Sequence, residues 1–448
     1  MAKGPPRRPP QGRLKRLSKL AGVGARVGAD VVSQAVKRWR GGKEADGPGG
    51  PGSAEAPITL GTAEKLAATL GDLKGAAMKL GQMAAMDSEM LPPEVRAVLA
   101  RLQNEAPPMP WEDVADVIQD ELGAPPEQLF AELDREPMAA ASLGQVHRGR
   151  MADGREVAVK VQYPGIGTAL KADLDNMGSV AKAVSVALGG VSGYFTEIRH
   201  ELLAELDYER EARLCEEFRE AARALPDLCV PATVKERTAR RVLTLERLPG
   251  ETLKSFLGRG PEKASAGERY RVSRLLLRAV LGPFLAGGTV HADPHPGNYL
   301  LMPDGRLGVV DFGSVKRLPE RFTGGCRKLL ALRLKDEPFD VIPIARELGI
   351  EWGDLPDDQA AALMKEVIEI GAAPLRGDTF DYGTATMVSD LRALKGTHFM
   401  RLIKFRPPAE GLLFFRAVAG CMMNLRAIGA RGDFRPVFEE LAALAPAP

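Results

Sequence analysis

The feature that most constrains this chain is a pair of polar motifs in its second half. His291-Ala-Asp-Pro-His-Pro-Gly-Asn298 places Asp293 five residues before Asn298, and Val309-Val-Asp-Phe-Gly313 brings Asp311 13 residues after that asparagine. This is the spacing of a phosphoryl-transfer site. Asp293 would orient an acceptor hydroxyl or water, and Asn298 and Asp311 offer the hard oxygen ligands that a phosphate-bound Mg²⁺ prefers.

The residues around these motifs predict a loop beside a strand. Asp293-Pro and His295-Pro favour extended, turn-rich backbone, while the apolar run Leu307-Gly-Val-Val310 is typical of a buried strand that ends at Asp311. The alternative is a His- and Pro-rich surface turn beside an unrelated core strand. Both motifs in this order favour a nucleotide-phosphate site.

Length and composition indicate a soluble globular protein. The chain has 448 residues, enough for two lobes or domains, and is 45% hydrophobic and 27% charged. Residues 412–430 contain Arg416, Asn424 and Arg426, so we predict a buried helix and not a membrane span there. The four cysteines show no Cys-x-x-Cys pairing, and no secretory signal precedes them, so we expect a reducing, cytoplasmic location.

The first 43 residues form a strongly basic arm. They carry a net charge of +11, with twelve Lys or Arg against Asp30 alone, whereas the whole chain is +2. Apolar residues at helical spacing suit contact with an anionic membrane surface; a disordered tail, or a helix packed on its own protein, are the alternatives. The remaining chain is net negative, which predicts no nucleic-acid-binding surface. Residues 44–57 are rich in Gly and Pro and predict a flexible linker.

Residues 58–136 are predicted to be a helical extension. Within it lies Lys79-Leu-Gly-Gln82, in which Lys79 and Gln82 share one helix face and Gly81 permits close approach of another backbone. From spacing alone, an exposed lysine on an ordinary amphipathic helix is the alternative interpretation.

Residues 137–250 mix strands and helix. The alternation in Glu156-Val-Ala-Val-Lys-Val-Gln162 predicts a half-buried strand in which Lys160 has apolar neighbours and needs an anionic partner, such as nucleotide phosphates. A surface lysine is the alternative. Residues 168–220 predict helix, with Glu201, Glu205 and Glu209 on one stripe that could supply carboxylates to Lys79 and Lys160.

The strand Val242 to Glu246 runs into a turn at Gly250, a form that suits a connector between two lobes. Glu246 and Leu248 in this connector are candidate nucleotide contacts. Residues 251–448 are predicted to be mostly helical.

Together these motifs resemble the UbiB/AarF family of atypical protein-kinase-like proteins over about residues 60–430. Lys79-Leu-Gly-Gln82 resembles the family's Lys-x-Gly-Gln signature. The run Ala139, Ala140, Ala141 and Ser142 looks like its alanine-rich replacement for the kinase glycine-rich loop, and Glu205-Leu-Asp207 resembles its Glu-x-Asp motif. The two motifs described first resemble its catalytic and metal-binding loops.

This resemblance implies an α+β, protein-kinase-like two-lobe fold with an N-terminal helical extension and a mostly helical C-terminal lobe. It also implies ATP or ADP and Mg²⁺ as cofactors. Lys160 would orient the α- and β-phosphates, with Glu211 as its partner from a helix. Glu205 and Asp207 would hold Lys79, beside Gln82, in the pocket where protein substrates normally enter.

The resemblance further implies ATP hydrolysis that supports ubiquinone biosynthesis, or the handling of similar isoprenoid lipids with lipid-biosynthesis proteins at a membrane. Bacterial members often end in hydrophobic membrane helices; none precedes Ala447-Pro448, so we expect peripheral association through the basic arm. Two other functions remain open. One is a phosphotransferase for a small hydroxylated molecule, because His-x-Asp-x-x-x-x-Asn also occurs in aminoglycoside and choline kinase relatives. The other is a nucleotide-responsive scaffold without turnover.

Overall fold

The computed structural model describes residues 108–141, 143–171, 174, 199, 203–402 and 404–444, apart from the side chains of residues 388, 392, 395, 399, 409 and 410. The predictions for the basic arm, the linker, Lys79, Gln82, Ser142 and Glu201 lie outside the described residues. The chain divides into two compact units. The smaller comprises Met1–Val114, Pro137–Gln145 and Gln162–Leu206, and the larger comprises Ala115–Glu136, Val146–Val161 and Asp207–Pro448.

The described chain contains short strands and longer helices. The strands are β1 (Glu132–Leu133), β2 (Ala139–Ala141), β3 (Gly144–Arg150), β4 (Glu156–Gln162), β5 (Leu228–Cys229), β6 (Val242–Glu246), β7 (Glu251–Thr252), β8 (Thr289–His291), β9 (Tyr299–Leu301), β10 (Leu307–Val309), β11 (Val315–Arg317), β12 (Phe380–Asp381) and β13 (Arg431–Gly432). The α-helices of the described chain are α1 (Trp111–Leu122), α2 (Pro126–Leu129), α3 (Tyr208–Ala221), α4 (Leu253–Gly258), α5 (Ala266–Gly287), α6 (Glu320–Lys335), α7 (Val341–Glu347), α8 (Asp357–Gly371), α9 (Met387–Thr397), α10 (Phe399–Leu402), α11 (Ala409–Ile428) and α12 (Arg435–Ala443).

The smaller unit has a compact apolar cluster of its own. Leu143, Ile166, Leu170 and Leu174 are buried together, with Tyr163, Leu203 and Leu206 packed against them. The side chain of Gln145 forms two hydrogen bonds with the backbone of Met109, accepting from its N–H at 2.8 Å and donating to its carbonyl at 3.3 Å. These polar contacts satisfy backbone groups that would otherwise be buried without partners.

In the larger unit, one sheet has the strand order β1-β3-β4-β6. β4 and β6 are antiparallel, with Lys160 opposite Leu243. Val157, Val159 and Val161 are fully buried while Ala158 and Lys160 are only partly buried, so the predicted alternation along this strand is confirmed. β-branched valines on the core face suit such a strand because their side chains pack well on a pleated surface.

The helical part of the larger unit is built around α5, which packs against α11 and α12. Ser265 begins α5 by accepting a hydrogen bond from the Glu268 amide, and Gly288, with φ of +75°, ends it in the left-handed region that favours glycine. The chain then enters β8 directly, and β8 pairs with β11. The end of α5 therefore delivers the His291–Asn298 motif from within the main core.

The predicted helix through residues 205–207 is wrong. Glu205 and Leu206 form a turn, and Asp207 is extended, with φ of −112° and ψ of 94°. The Asp207 carboxylate accepts a hydrogen bond from the Arg210 amide at 2.9 Å, so this side chain begins a new helix at Tyr208. Glu205 and Glu209 consequently do not lie on one helical stripe.

Within the described part of the chain, one helix is long and apolar enough to cross a bilayer. Its segment Gly411–Ile428 has a mean hydropathy of 1.3, and 39% of it is buried. Core helices of soluble domains share these properties. Ala417, Cys421, Leu425 and Ile428 of this helix, α11, are buried in the main core.

Candidate functional site

Lys160 and Glu211 form a buried ion pair between β4 and α3. The Lys160 Nζ lies 3.0 Å from both Glu211 carboxylate oxygens, and the two side chains are 14% and 4% exposed. The Tyr208 ring lies below the same ammonium, with its centroid 5.0 Å from Nζ. Because α3 begins at its Asp207 cap, Tyr208 and Glu211 lie three residues apart in its first turn and share a face.

Asp311 adds a second carboxylate to this pair. Its Oδ2 lies 3.7 Å from the Lys160 Nζ. Burial alone would lower the pKa of Lys160, but the negative charges of Asp311 and Glu211 outweigh it and hold that pKa well above its ordinary value. Lys160 therefore keeps its positive charge at neutral pH, which suits a side chain that binds phosphate oxygens.

Asp311 has an unusual backbone conformation. β10 ends at Val309, and Asp311 then adopts a positive φ of 66°, which aspartate tolerates better than most residues. The His291 Nε2 donates to the Asp311 carbonyl at 2.7 Å, and the Phe312 amide donates to the Glu211 Oε1 at 3.4 Å. The surrounding hydrogen bonds thus hold a strained residue at the position where sequence predicted a metal ligand.

Three rings join the elements that carry the site. Phe218 of α3, His291 of β8 and Phe312 pack edge to face or tilted, with centroids 5.7 to 5.9 Å apart. Phe218 and Phe312 are fully buried. This cluster ties the helix that carries Glu211 to both polar motifs, and sequence reasoning did not identify Phe218.

Asp293 and Asn298 are close neighbours on the loop after β8. They are 5% and 8% exposed, and the Asn298 Nδ2 donates to the Asp293 carbonyl at 3.2 Å. That bond occupies the amide nitrogen of Asn298 and leaves its Oδ1 as the atom suited to a cation.

The donor set fits Mg²⁺. In the described residues there is no group of three or more His, Cys, Asp or Glu side chains that could hold a metal ion. One amide oxygen from Asn298 and one carboxylate from Asp311 are nevertheless enough, because Mg²⁺ usually takes one or two protein oxygens and fills its remaining positions with water and substrate phosphates.

The structure describes several of the other predicted site residues. Glu205 and β2, which holds Ala139, Ala140 and Ala141, belong to the smaller unit. Asp207 caps α3. In the connector, the Glu246 side chain accepts from the Ala232 amide at 3.3 Å, and Leu248 is buried.

Three polar side chains near the motifs were not assigned a role from sequence. Arg210 donates to the Gly313 carbonyl at 3.2 Å, Arg416 lies 3.9 Å from the Asp293 Oδ1, and Asn424 donates to the Pro294 carbonyl at 2.8 Å. Arg416 and Asn424 did give a signal, since both interrupt the apolar run of α11.

A strand lysine paired with a helix glutamate, beside the aspartate of an Asp-Phe-Gly motif, defines a protein-kinase-like class of phosphoryl-transfer fold. Residues 101–338 match the ABC1 atypical kinase-like domain. The chain belongs to this family of atypical kinases, to which the UbiB/AarF proteins belong. The α+β, kinase-like fold predicted from the sequence is thereby confirmed.

Relatives are similar over most of the chain. Atypical kinase COQ8B, mitochondrial, of Danio rerio is 28% identical over 441 residues, which cover 96% of this chain and 69% of the relative. Atypical kinase COQ8, mitochondrial, of Saccharomyces cerevisiae is 27% identical over 443 residues, covering 97% and 85%. Among solved structures, the Rv3197–erythromycin complex from Mycobacterium tuberculosis has a TM-score of 0.62 and 29% identity, and the match covers 86% of this chain and 97% of that one.

Proposed function

We propose that this protein binds ATP and hydrolyses it in a Mg²⁺-dependent reaction that supports the biosynthesis or handling of ubiquinone or a related isoprenoid lipid. The observation that carries the ATPase part is the position of Lys160, whose ammonium lies 3.0 Å from Glu211 and 3.7 Å from Asp311. A buried cation held between two carboxylates, close to a candidate metal ligand, is suited to nucleotide phosphates.

Each residue then has a separate task. Lys160 binds the α- and β-phosphates and is oriented by Glu211. Asn298 and Asp311 would hold Mg²⁺, which would neutralise charge on the nucleotide phosphates. Asp293 orients the attacking water through its carboxylate.

The lipid part of the proposal is supported by family membership and by the motifs. The Lys79-Leu-Gly-Gln82 signature and the alanine-rich run Ala139 to Ser142 argue against ordinary protein phosphorylation. A lysine inserted as the family resemblance implies would block the protein-substrate entrance, and alanines would limit the approach of the loop amides to phosphate. Glu205 and Asp207 would hold this lysine, beside Gln82, and so regulate access to the site, as the family motifs imply. The basic arm would bring the protein to an anionic membrane surface.

The test is phosphate release from Mg²⁺-ATP by the purified protein, with and without anionic liposomes, beside Asp311→Asn. We expect release that rises with liposomes. It should fall by about 100-fold or more in the variant, because a metal ligand at the site of developing charge is lost. Asn keeps the shape of Asp311 and tolerates its positive φ, so the fold should persist.

Two results would favour another function, and a third would contradict the assignment of Asp311. Tight nucleotide binding without phosphate release would favour the nucleotide-responsive scaffold. Phosphate transferred in equal amount to an added small alcohol would favour the phosphotransferase. Full activity in Asp311→Asn would remove this residue from the metal site.

A further inference from the structure

Helix α11 contributes two polar side chains to the loop that carries Asp293. The Arg416 Nη2 lies 3.9 Å from the Asp293 Oδ1, and the Asn424 Nδ2 donates a 2.8 Å hydrogen bond to the carbonyl of the next residue, Pro294. Both contacts come from one rigid element and fall on consecutive residues of the loop.

These contacts use polar groups that are costly to place in this helix. α11 is apolar enough to resemble a membrane span, yet Asn424 lies on its core-facing side and is only 6% exposed. Burying an amide is unfavourable unless it is hydrogen-bonded, and a carboxylate as buried as Asp293 needs a compensating charge. The contacts with the loop that carries Asp293 therefore explain why Arg416 and Asn424 interrupt the apolar sequence of α11.

Arg416 is placed to orient the Asp293 carboxylate without a direct hydrogen bond to it. At 3.9 Å the Arg416–Asp293 contact is longer than a hydrogen bond, so the guanidinium attracts the carboxylate without using up its lone pairs. Asn424 holds the peptide between Pro294 and His295, one residue beyond Asp293, because it donates to the Pro294 carbonyl.

From these contacts we infer that Arg416 is a positioning residue for Asp293, and that Asn424 holds the adjoining backbone in place. The inference rests on the proposed function, because it assumes that Asp293 acts on the acceptor side. It gives α11 a role in turnover that its apolar sequence does not suggest.

The chain offers a matched control for the test. Arg426 lies on the same helix, ten residues further on, and is exposed. We compare Arg416→Gln, Arg416→Lys and Arg426→Gln in steady-state phosphate release from Mg²⁺-ATP. We expect Arg416→Gln to lower kcat about 10- to 100-fold, because a misplaced orienting group costs this much, while KM for Mg²⁺-ATP changes less than about twofold.

The KM should be unaffected because Lys160 and the metal ligands, not Asp293, hold the nucleotide. Arg416→Lys should recover part of kcat, since it keeps the charge but not the planar guanidinium. Arg426→Gln should match the wild type. Equal effects of the two glutamine variants, or a rise in KM as large as the fall in kcat, would overturn the inference.

Hydrogen exchange of the peptide covering residues 291–298 separates this inference from the proposed function. If the wild type releases no phosphate, the ATPase proposal fails, and exchange alone decides the positioning role. Faster exchange of this peptide in Arg416→Gln than in Arg426→Gln supports it, and equal exchange refutes it. Arg416→Lys keeps the comparison usable if the glutamine variant does not fold.

Discussion

Lys160 is a buried cation whose charge is balanced by carboxylates from two distant segments of the chain. Glu211 comes from α3 and Asp311 from the end of β10. Removing one partner of a buried pair leaves an uncompensated charge and typically costs about 3–5 kcal/mol. The alternation of β4 predicted that Lys160 needs an anionic partner, but it could not select Glu211, because the pairing depends on how α3 packs against the strand.

His147 is a second buried ionisable group, and it points to a dependence of stability on pH. Its Nδ1 donates to the Asp134 carbonyl at 2.8 Å, and its side chain is fully buried. Burial lowers the pKa of His147 from its ordinary 6.5, although Asp134 and Glu136 act in the opposite direction. The unfolded chain therefore binds the proton more readily than the folded one.

The sign of the effect follows from this shift. The neutral His147 contributes its full stability above about pH 6.5, and this contribution is lost as the pH falls towards and through the lower folded pKa. We predict that His147→Asn, which keeps a donor for the Asp134 carbonyl, makes the unfolding free energy less sensitive to acid between about pH 7.5 and 5. Urea unfolding at several pH values measures this.

The wild type, unfolded under the same conditions, supplies the control for that measurement. If His147→Asn lost as much stability on acidification as the wild type, the burial of His147 would not be a source of the pH dependence.

Helix α3 connects more of the site than any predicted motif indicates. Its first turn supplies Tyr208, Arg210 and Glu211, which contact Lys160, the Gly313 carbonyl and the Phe312 amide. Three residues of one helical turn thus together contact the strand lysine and the Asp-Phe-Gly segment. A shift of α3 would disturb both.

The start of α3 can be tested through its cap. Asp207→Ala removes the acceptor of the Arg210 amide and should lower the unfolding free energy by about 1 kcal/mol, whereas Asp207→Asn keeps a capping oxygen and should cost less than about 0.5 kcal/mol. Urea unfolding of both variants checks this. Equal stability of the two variants would show that the cap contributes nothing.

The same pair of variants also examines the role assigned to Asp207 by the family motif. Asparagine keeps the cap but removes the negative charge that would hold Lys79. Altered nucleotide binding in Asp207→Asn, at unchanged stability, would therefore favour the charge role. Unaltered binding would leave Asp207 as a helix cap.

Some elements of this fold could be predicted from the sequence, and others could not. β4 was predicted because its alternation is a local property of the sequence. The break at 205–207 was missed because helical periodicity continues across it, and one side chain to backbone bond from Asp207 decides the outcome. The contact between α11 and the loop that carries Asp293 could not be predicted, since it depends on the packing of segments far apart in sequence.

Taken over the full chain, charge is distributed unevenly. Residues 1–43 carry a net charge of +11, whereas the net charge of the whole chain is +2. These 43 residues lie outside the described residues. We predict that deleting them weakens binding to anionic vesicles while the thermal unfolding of the remaining protein changes little, because attraction to anionic lipid comes from these basic residues.

Vesicle sedimentation measures that binding, with neutral vesicles as the control. Added salt should weaken the binding of the full chain to anionic vesicles, because it screens charge. If the truncated protein sedimented with anionic vesicles as well as the full chain does, another surface would be the contact.

The identity of the fold could be predicted from the sequence because its motifs are short and locally encoded. His291 to Asn298 and Asp311 to Gly313 needed no tertiary information to be recognised. The supporting shell around them, namely Phe218, Arg210 and Arg416, comes from helices whose packing brings them there. The sequence therefore pointed to the residues of the candidate site, but not to the side chains that support them.

The hydrogen bond from Asn424 to the Pro294 carbonyl can form only after the ribosome has made both residues. The two residues are 130 positions apart, so a ribosome working at about 5–20 residues per second makes the helix roughly 10 s after the loop. During that interval the nascent chain has Asp293 but not the α11 side chains that hold its loop. The loop that carries Asp293 can therefore reach its final form only after α11 has been made.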